Sequence, residues 1–224
     1  LPVPDSARDD ELGDLVRAFG RMRDSVARHD RDIRRVAYSD ALTGLSNRLA
    51  FREALDARLR AVQGAGRQLA LLFADIDDFK RVNDTLGHEA GDDVLLQVAS
   101  RIDRTARSVP GASTLVARFG GDEFVILLEA AEGGAAGAVR ALAGRLAESL
   151  VRELGQPLLL QGRQVFMGCS IGVALFPDDA DTASALMKNG DIAMYQAKVA
   201  GKNCHRFYSR TMDQAVERRM RMEH

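Results

Sequence analysis

Apolar residues recur near the start of the chain at Leu12, Leu15, Phe19, Met22, Val26, Ile33 and Val36, with His29 in the one remaining place, in alternating steps of three and four. That spacing predicts a coiled-coil seam over about three and a half heptads rather than one helix lying on a globular core. Gly13 and Gly20 each weaken such a helix by about 1 kcal/mol relative to Ala, so packing against a partner is expected to hold it. His29 reads as a wet seam residue, with pH sensing as the alternative.

Beyond the heptads the period changes. Asp40 to Arg48 is rich in turn residues, and an amphipathic helix follows from Leu49 to Val62. Leu69 to Ala74 is a continuous apolar run, read as a buried strand, and it ends abruptly in Asp75-Ile76-Asp77-Asp78. Acids at the end of a central strand are costly unless something pairs them. A short helix from Phe79 to Thr85 leads to a longer one opened by Gly91-Asp92-Asp93, with Val94, Leu95, Val98 and Ile102 on one face. Thr114 to Phe119 and Phe124 to Leu128 read as two strands joined through Gly120-Gly121-Asp122-Glu123. An Ala/Gly-rich link at 129–137 precedes a helix at 138–154, strands at 157–160 and 165–176, a helix at 183–199 and a last strand at 204–208. The order β-α-α-β-β-α-β-β-α-β predicts an α/β fold with a central mixed, antiparallel-containing sheet flanked by helices. Thr211 to His224 reads as a charged helix with Met212, Val216 and Met220 on one side, either a solvated tail or a linker.

Composition narrows the choice. With 224 residues, 46% of them hydrophobic, the chain can bury one good core with extensions to spare. A net charge of −1 argues against a nucleic-acid partner held on a broad basic face. Cys169 and Cys204 have no spacing that suggests zinc or a disulfide, so both read as reduced, buried, cytosolic thiols. No apolar run is long enough to span a membrane. The chain starts at Leu1 rather than Met, which suggests a piece of something longer.

The chemistry concentrates on carboxylates. If the strand ending at Asp75 neighbours the hairpin, Asp75, Asp122 and Glu123 converge. Gly120 and Gly121 can take positive φ and let a bulky anion approach the backbone. Crowded acids beside a phosphate-sized gap need a cation, and hard oxygen ligands suit Mg²⁺ (or Mn²⁺) together with substrate phosphates. The plainer alternative is a solvated acidic turn.

Gly120-Gly121-Asp122-Glu123-Phe124 resembles the namesake motif of the GGDEF family, the diguanylate cyclases. Asp40-Ala41-Leu42-Thr43-Gly44-Leu45-Ser46-Asn47-Arg48, Asp75 to Asp92, Ser170-Ile171-Gly172-Val173-Ala174 and Asp191 to Asn203 match further family segments in the same order. The resemblance covers roughly 39–208 and implies a palm-like nucleotide cyclase sheet. It implies that Asp75, the carbonyl of Ile76, and Asp122 or Glu123 hold the metal, with Asp122 and Glu123 catalytic. It places Asn83 and Asp92 where guanine is read, roles those side chains suit because an amide donates and accepts while a carboxylate takes the guanine N–H donors. The alternative makes Asn83 a helix-end residue and Asp92 an N-cap.

Lys80, Lys198 and Lys202, with Phe79 and backbone N–H groups near Asp78, would contact phosphate. The alternative for the two later lysines is complementing a helix C-terminus. Many family members carry Arg-x-x-Asp before the hairpin as a product-binding inhibitory site; here those positions are Gly111 and Thr114, so no feedback through that site is expected.

Asp10 to Leu15 with Ala18, Phe19 and Met22 resembles the second half of a HAMP module, and Met212 to Glu223 resembles the join to a following EAL phosphodiesterase domain. The expected organisation is therefore a HAMP-like and coiled-coil segment at 1–38, a cyclase domain at 39–210 and a linker at 211–224. The expected activity is condensation of two GTP into cyclic di-GMP at the interface of a homodimer paired through the N-terminal helix. The parent would be a bacterial inner-membrane protein with this part in the cytoplasm. The rivals are a silent GTP-binding module that regulates an EAL domain, and a dimerising scaffold.

Overall fold

The structure, a computed structural model, describes residues 16–25, 36–65, 67–131 and 137–212. The chain divides into two compact units, Leu1–Ser39 and Asp40–His224. In the first unit residues 16–25 are helical. Its described seam residues Phe19, Met22 and Val36 are 55%, 57% and 79% exposed, so nothing among the described residues covers these three side chains. Leu12, Leu15, Val26, His29 and Ile33 lie outside the described residues, as do Val216 and Met220.

The second unit runs α1 (Arg48–Gly64), β1 (Leu69–Ile76), α2 (Phe79–Leu86), α3 (His88–Arg107), β2 (Ala112–Gly120), β3 (Glu123–Ala130), α4 (Ala138–Leu154), β4 (Leu158–Leu160), β5 (Arg163–Val165), β6 (Cys169–Phe176), α5 (Ala183–Val199) and β7 (His205–Phe207). The main sheet has the order β2-β3-β1-β6-β7. β1 lies antiparallel to both β3 and β6, β2 lies antiparallel to β3, and β6 and β7 pair in parallel. This is the mixed, helix-flanked sheet expected from the order of elements. No helix of the described residues is long and apolar enough to cross a membrane.

β1 and β6 are buried along their whole length, which explains why Leu69 to Ala74 shows no alternation. Side-chain alternation sorts the core into two layers. Ala70, Leu72, Ala74 and Ile76 pack with Phe124 and Ile126 against α2, α3 and α4. Leu69, Leu71, Phe73, Val125 and Leu127 face α1 and α5. Each fully buried Leu or Phe contributes about 1.5–3 kcal/mol relative to exposure.

α5 sits unusually close to the sheet. A Cβ on Gly172 of β6 would fall on the Gly190 carbonyl oxygen and the Met194 amide nitrogen, and one on Gly190 would lie 2.7 Å from Leu71 Cδ2. Two facing glycines thus set the height of α5 above β6 and β1. The next turns of that helix carry Lys198 toward the end of β1.

Three expectations need correction. The strand expected at 165–176 is two strands: β5 pairs with β4 in a separate two-stranded sheet, and β6 joins the main one. The break falls at 166–168, where Gly168 passes so near the β1 turn that a Cβ would lie 2.7 Å from Asp77 Oδ2. The second helix of the α2–α3 pair begins at His88, not at Gly91, because Gly87 at φ 87° ends one helix and starts the next by itself. Asp92 is therefore inside α3 and is not its N-cap. Cys169 is buried as a free thiol, whereas the free Cys204 is only half-buried.

Candidate functional site

The end of β1 and the β2–β3 turn lie side by side. Asp75 is directly opposite Glu123 of β3 on one flank and Ser170 of β6 on the other. Both acids continue the alternation of Phe73 and Val125, so they point to the α1/α5 face. The Ile76 amide donates to the Asp122 carbonyl at 3.3 Å, closing the turn onto the strand. Gly120 and Gly121 take φ of 130° and 52°, and the register slips between Arg118 and Gly120. A side chain at either glycine would strain the turn.

Arg118 fixes the turn from below. Its Nε and Nη2 donate to the Gly121 carbonyl at 3.0 and 2.8 Å, and its Nη1 reaches both Asp40 oxygens at 3.0 and 3.2 Å. Asp40 Oδ1 also accepts from the Thr43 amide and hydroxyl at 2.9 and 2.6 Å. Burial works to raise the Asp40 pKa, but the Thr43 donors and Arg118 outweigh it and hold the group below the ordinary carboxylate value. The Ser46 carbonyl accepts from the Arg118 amide at 2.9 Å, and Asn47 caps α1 by accepting from Ala50 N at 3.0 Å. The whole 40–47 entry segment is a clamp on the acidic turn.

Asp75 is only 6% exposed. Burial pushes its pKa up to about 6; Lys198 Nζ, 2.8 Å from Oδ2, pulls it down, while the charges of Asp122 and Asp77 push the same way as burial. At neutral pH a buried carboxylate in this setting attracts cations. In the structure the Lys198 ammonium answers that demand. Among the described residues no group of three or more His, Cys, Asp or Glu is arranged to hold a metal by itself. The donors present are all hard oxygens, which fits a cation that keeps some ligands for water and phosphate.

Asp77 has a different fate, although it lies two residues from Asp75. Its Oδ1 accepts from Ser170 Oγ at 2.6 Å and its Oδ2 from the Asn203 amide at 2.8 Å. With both oxygens so engaged at 6% exposure, Asp77 staples the loop after α5 to the β1 turn. That loop carries Lys202 and Asn203 at positive φ, 62° and 46°. Lys202 Nζ then pairs with Asp78 Oδ1 at 2.6 Å, and Asp78 itself has φ 59° immediately before α2. Lys198 and Lys202 are thus brought to the same strand end, one at Asp75 and one at Asp78. Lys80 is exposed on α2 and Phe79 is buried beneath it.

Asn83 and Asp92 belong to the other face, on α2 and α3. Asn83 is half-buried and Asp92 exposed. The helices meet where Gly91 lies against the Asn83 side chain. On the α1/α5 face, Glu123 and Phe119 border a cavity of about 400 Å³ with Arg48, Arg52, Lys188 and Asp191. Gly111 forms a turn at φ 74° ahead of β2, and Thr114 in β2 is opposite Leu128, so neither position offers a charge.

Residues 37–204 match the family model described as "Diguanylate cyclase, GGDEF domain". The chain belongs to the GGDEF family. It is 39% identical over 89% of its length to the bifunctional diguanylate cyclase/cyclic di-GMP phosphodiesterase MucR of Pseudomonas aeruginosa, covering 28% of that protein. The chain spans about a quarter of the length of the first curated relatives it matches. Among solved structures it resembles the GGDEF domain of TpbB from Pseudomonas aeruginosa, with TM-score 0.73 and 39% identity over 80% of this chain and 99% of that one. It also resembles the coiled coil and GGDEF domain of DgcB from Caulobacter crescentus in complex with c-di-GMP, with TM-score 0.73 and 28% identity over 88% of this chain and all of that one.

Two parts of the GGDEF site escaped the sequence reading. The Asp40–Arg118 clamp joins residues far apart in the chain; the local signal was Asp40 three residues before Thr43, the spacing of a capping side chain. The Asp77 staple had no signal, because Asp75 and Asp77 look alike in sequence.

Proposed function

We propose that this GGDEF domain condenses two GTP molecules into cyclic di-GMP, with Mg²⁺ or Mn²⁺, in a homodimer that brings two half-sites face to face. The observation that carries the reading is the buried Asp75 opposite Glu123, with Asp122 in the turn alongside. In each of two equivalent steps a 3′-hydroxyl oxygen bonds to the α-phosphorus of the other nucleotide. The bond from that phosphorus to the oxygen bridging to the β-phosphate breaks, pyrophosphate leaves with the electron pair, and the hydroxyl proton passes to a carboxylate or to water.

Asp75, Asp122, Glu123 and the Ile76 carbonyl would hold the metal, which when bound supplies a lowered hydroxyl pKa and neutralises the leaving pyrophosphate. Glu123 and Asp122 would accept the proton of the attacking hydroxyl. Lys198, which pairs with Asp75 in the structure, would contact phosphate together with Lys202, Lys80 and the amides at the start of α2. Asn83 and Asp92 read guanine. The exposed Phe19, Met22 and Val36 stripe supports pairing through the N-terminal coil. The HAMP-like start, a membrane-anchored parent with this part in the cytoplasm, and a following EAL domain belong to the same proposal.

The test is product analysis of Mg-GTP incubated with the chain fused to a dimerising coil. Cyclic di-GMP and pyrophosphate are expected, and none from Asp122→Ala. A folded, dimerised chain that yields no cyclic dinucleotide would refute the catalytic reading. A 38% identical relative from Pseudomonas aeruginosa, NbdA, is named as a cyclic di-GMP phosphodiesterase alone, which favours a second reading, in which the domain binds GTP and tunes a phosphodiesterase elsewhere in the parent. It predicts GTP binding with no product.

A further inference from the structure

Gly91 stands where helix propensity argues against glycine. It lies inside α3, is buried, and is absent from the positive-φ glycines, so its backbone is one that alanine adopts freely. Alanine in a helix is favoured over glycine by about 1 kcal/mol. Some other requirement must keep the side chain away, and the structure shows a spatial one. A Cβ built on Gly91 overlaps the Asn83 Oδ1 atom, lies 3.0 Å from Asn83 Cγ and 3.3 Å from Phe79 Cζ.

The neighbour that would have to give is therefore the tip of one flexible side chain. Moving it costs little stability and changes where its amide points. Phe79 is 8% exposed and is held in the core, so it does not yield instead. Asn83 is fixed at its backbone as well, since its carbonyl accepts from Gly87 N at 3.0 Å in the turn between the helices.

We propose that Gly91 is a specificity-determining positioning residue: its missing side chain forms the notch that seats the Asn83 amide for guanine. The inference rests on Asn83 reading the base, as proposed above. Residue 91 touches no substrate in this account and acts only through Asn83.

Binding of GTP and of ATP to the full chain, with Ca²⁺ to limit turnover, is compared for wild type, Gly91→Ala, Asn83→Ala and the double variant. Gly91→Ala is expected to keep or raise the melting temperature while weakening GTP at least tenfold, so that the preference for GTP over ATP collapses. A purely structural glycine would not alter that ratio. Asn83→Ala should lose the same preference, and adding Gly91→Ala to it should change nothing more.

If Asn83→Ala loses selectivity but Gly91→Ala keeps it, the notch is overturned and the guanine reading stands. Selectivity unchanged in Asn83→Ala overturns both. Should Gly91→Ala alone fail to fold, the double variant decides: recovery of folding when the clashing amide is removed supports the contact, and continued misfolding overturns it.

Discussion

The two faces of the central sheet meet at the end of β1 and contribute different things there. The α1/α5 face brings charge: Asp75, Glu123 and Lys198, on strands and a helix locked by the facing glycines Gly172 and Gly190. The α2/α3 face brings shape and directional hydrogen bonding: the Asn83 amide against Gly91 and the Asp92 carboxylate one residue beyond it. The proposed chemistry takes place on the first face and the proposed choice of base on the second. Damage to one should lower turnover, and damage to the other should change which nucleotide is bound.

The largest expected effect comes from Asp75→Asn. Removing a proposed metal ligand should reduce cyclic di-GMP formation by about a thousandfold or more, while leaving the preference for GTP over ATP in binding intact. Loss of that preference in Asp75→Asn would break the division between faces. Next is Arg118→Ala, which frees the Gly120–Glu123 turn and leaves Asp40, 19% exposed at its side chain, without its guanidinium. It should cost about 1–3 kcal/mol of stability in chemical denaturation and lower kcat about 10- to 100-fold. An unchanged kcat in the folded variant would mean that the turn needs no clamp.

Asn83→Ala, on the opposite face, should raise KM for GTP about tenfold with kcat nearly preserved in a dimer saturated with substrate. A fall in kcat alone would assign Asn83 to the chemistry instead.

A smaller effect concerns pH. The Asp75 pKa rises from 3.8 to about 6 on folding, so the folded metal-free chain binds this proton more tightly than the unfolded chain does. Stability from this group is therefore fully present below about pH 4 and is lost as pH rises through about 6. In EDTA, Asp75→Asn should be more stable than wild type by about 1 kcal/mol at pH 7.5, and the gap should close toward pH 5. A variant that is less stable at pH 7.5 would show that the Lys198 pair outweighs the burial. The smallest effect is an expected absence: cyclic di-GMP should not inhibit through Gly111–Thr114, and submicromolar inhibition abolished by substitutions there would contradict that.

Periodicity made most of the architecture legible. The buried run to Ala74, the hairpin and the long helices were all readable, because burial on one or both faces leaves a period that survives in one dimension. The β5–β6 break was not, since residues 165–176 stay apolar enough for one strand and only the approach of Asp77 to Gly168 interrupts them. The acids and the proposed guanine-reading pair, Asn83 and Asp92, were visible as motif residues, whereas the distinction between Asp75 and Asp77 depends on Ser170 and Asn203, which arrive from 93 and 126 positions away. The clamp is hidden for the same reason: Asp40 and Arg118 are separated by 78 positions and joined only by the fold.

The central claim is catalysis at paired half-sites, and it is tested most directly by following cyclic di-GMP from Mg-GTP at protein concentrations that span dimerisation. The account predicts that specific activity rises with the dimer fraction in wild type and is absent in Asp122→Ala. GTP bound at every concentration with no cyclic di-GMP, in a chain shown to be dimeric, would contradict it.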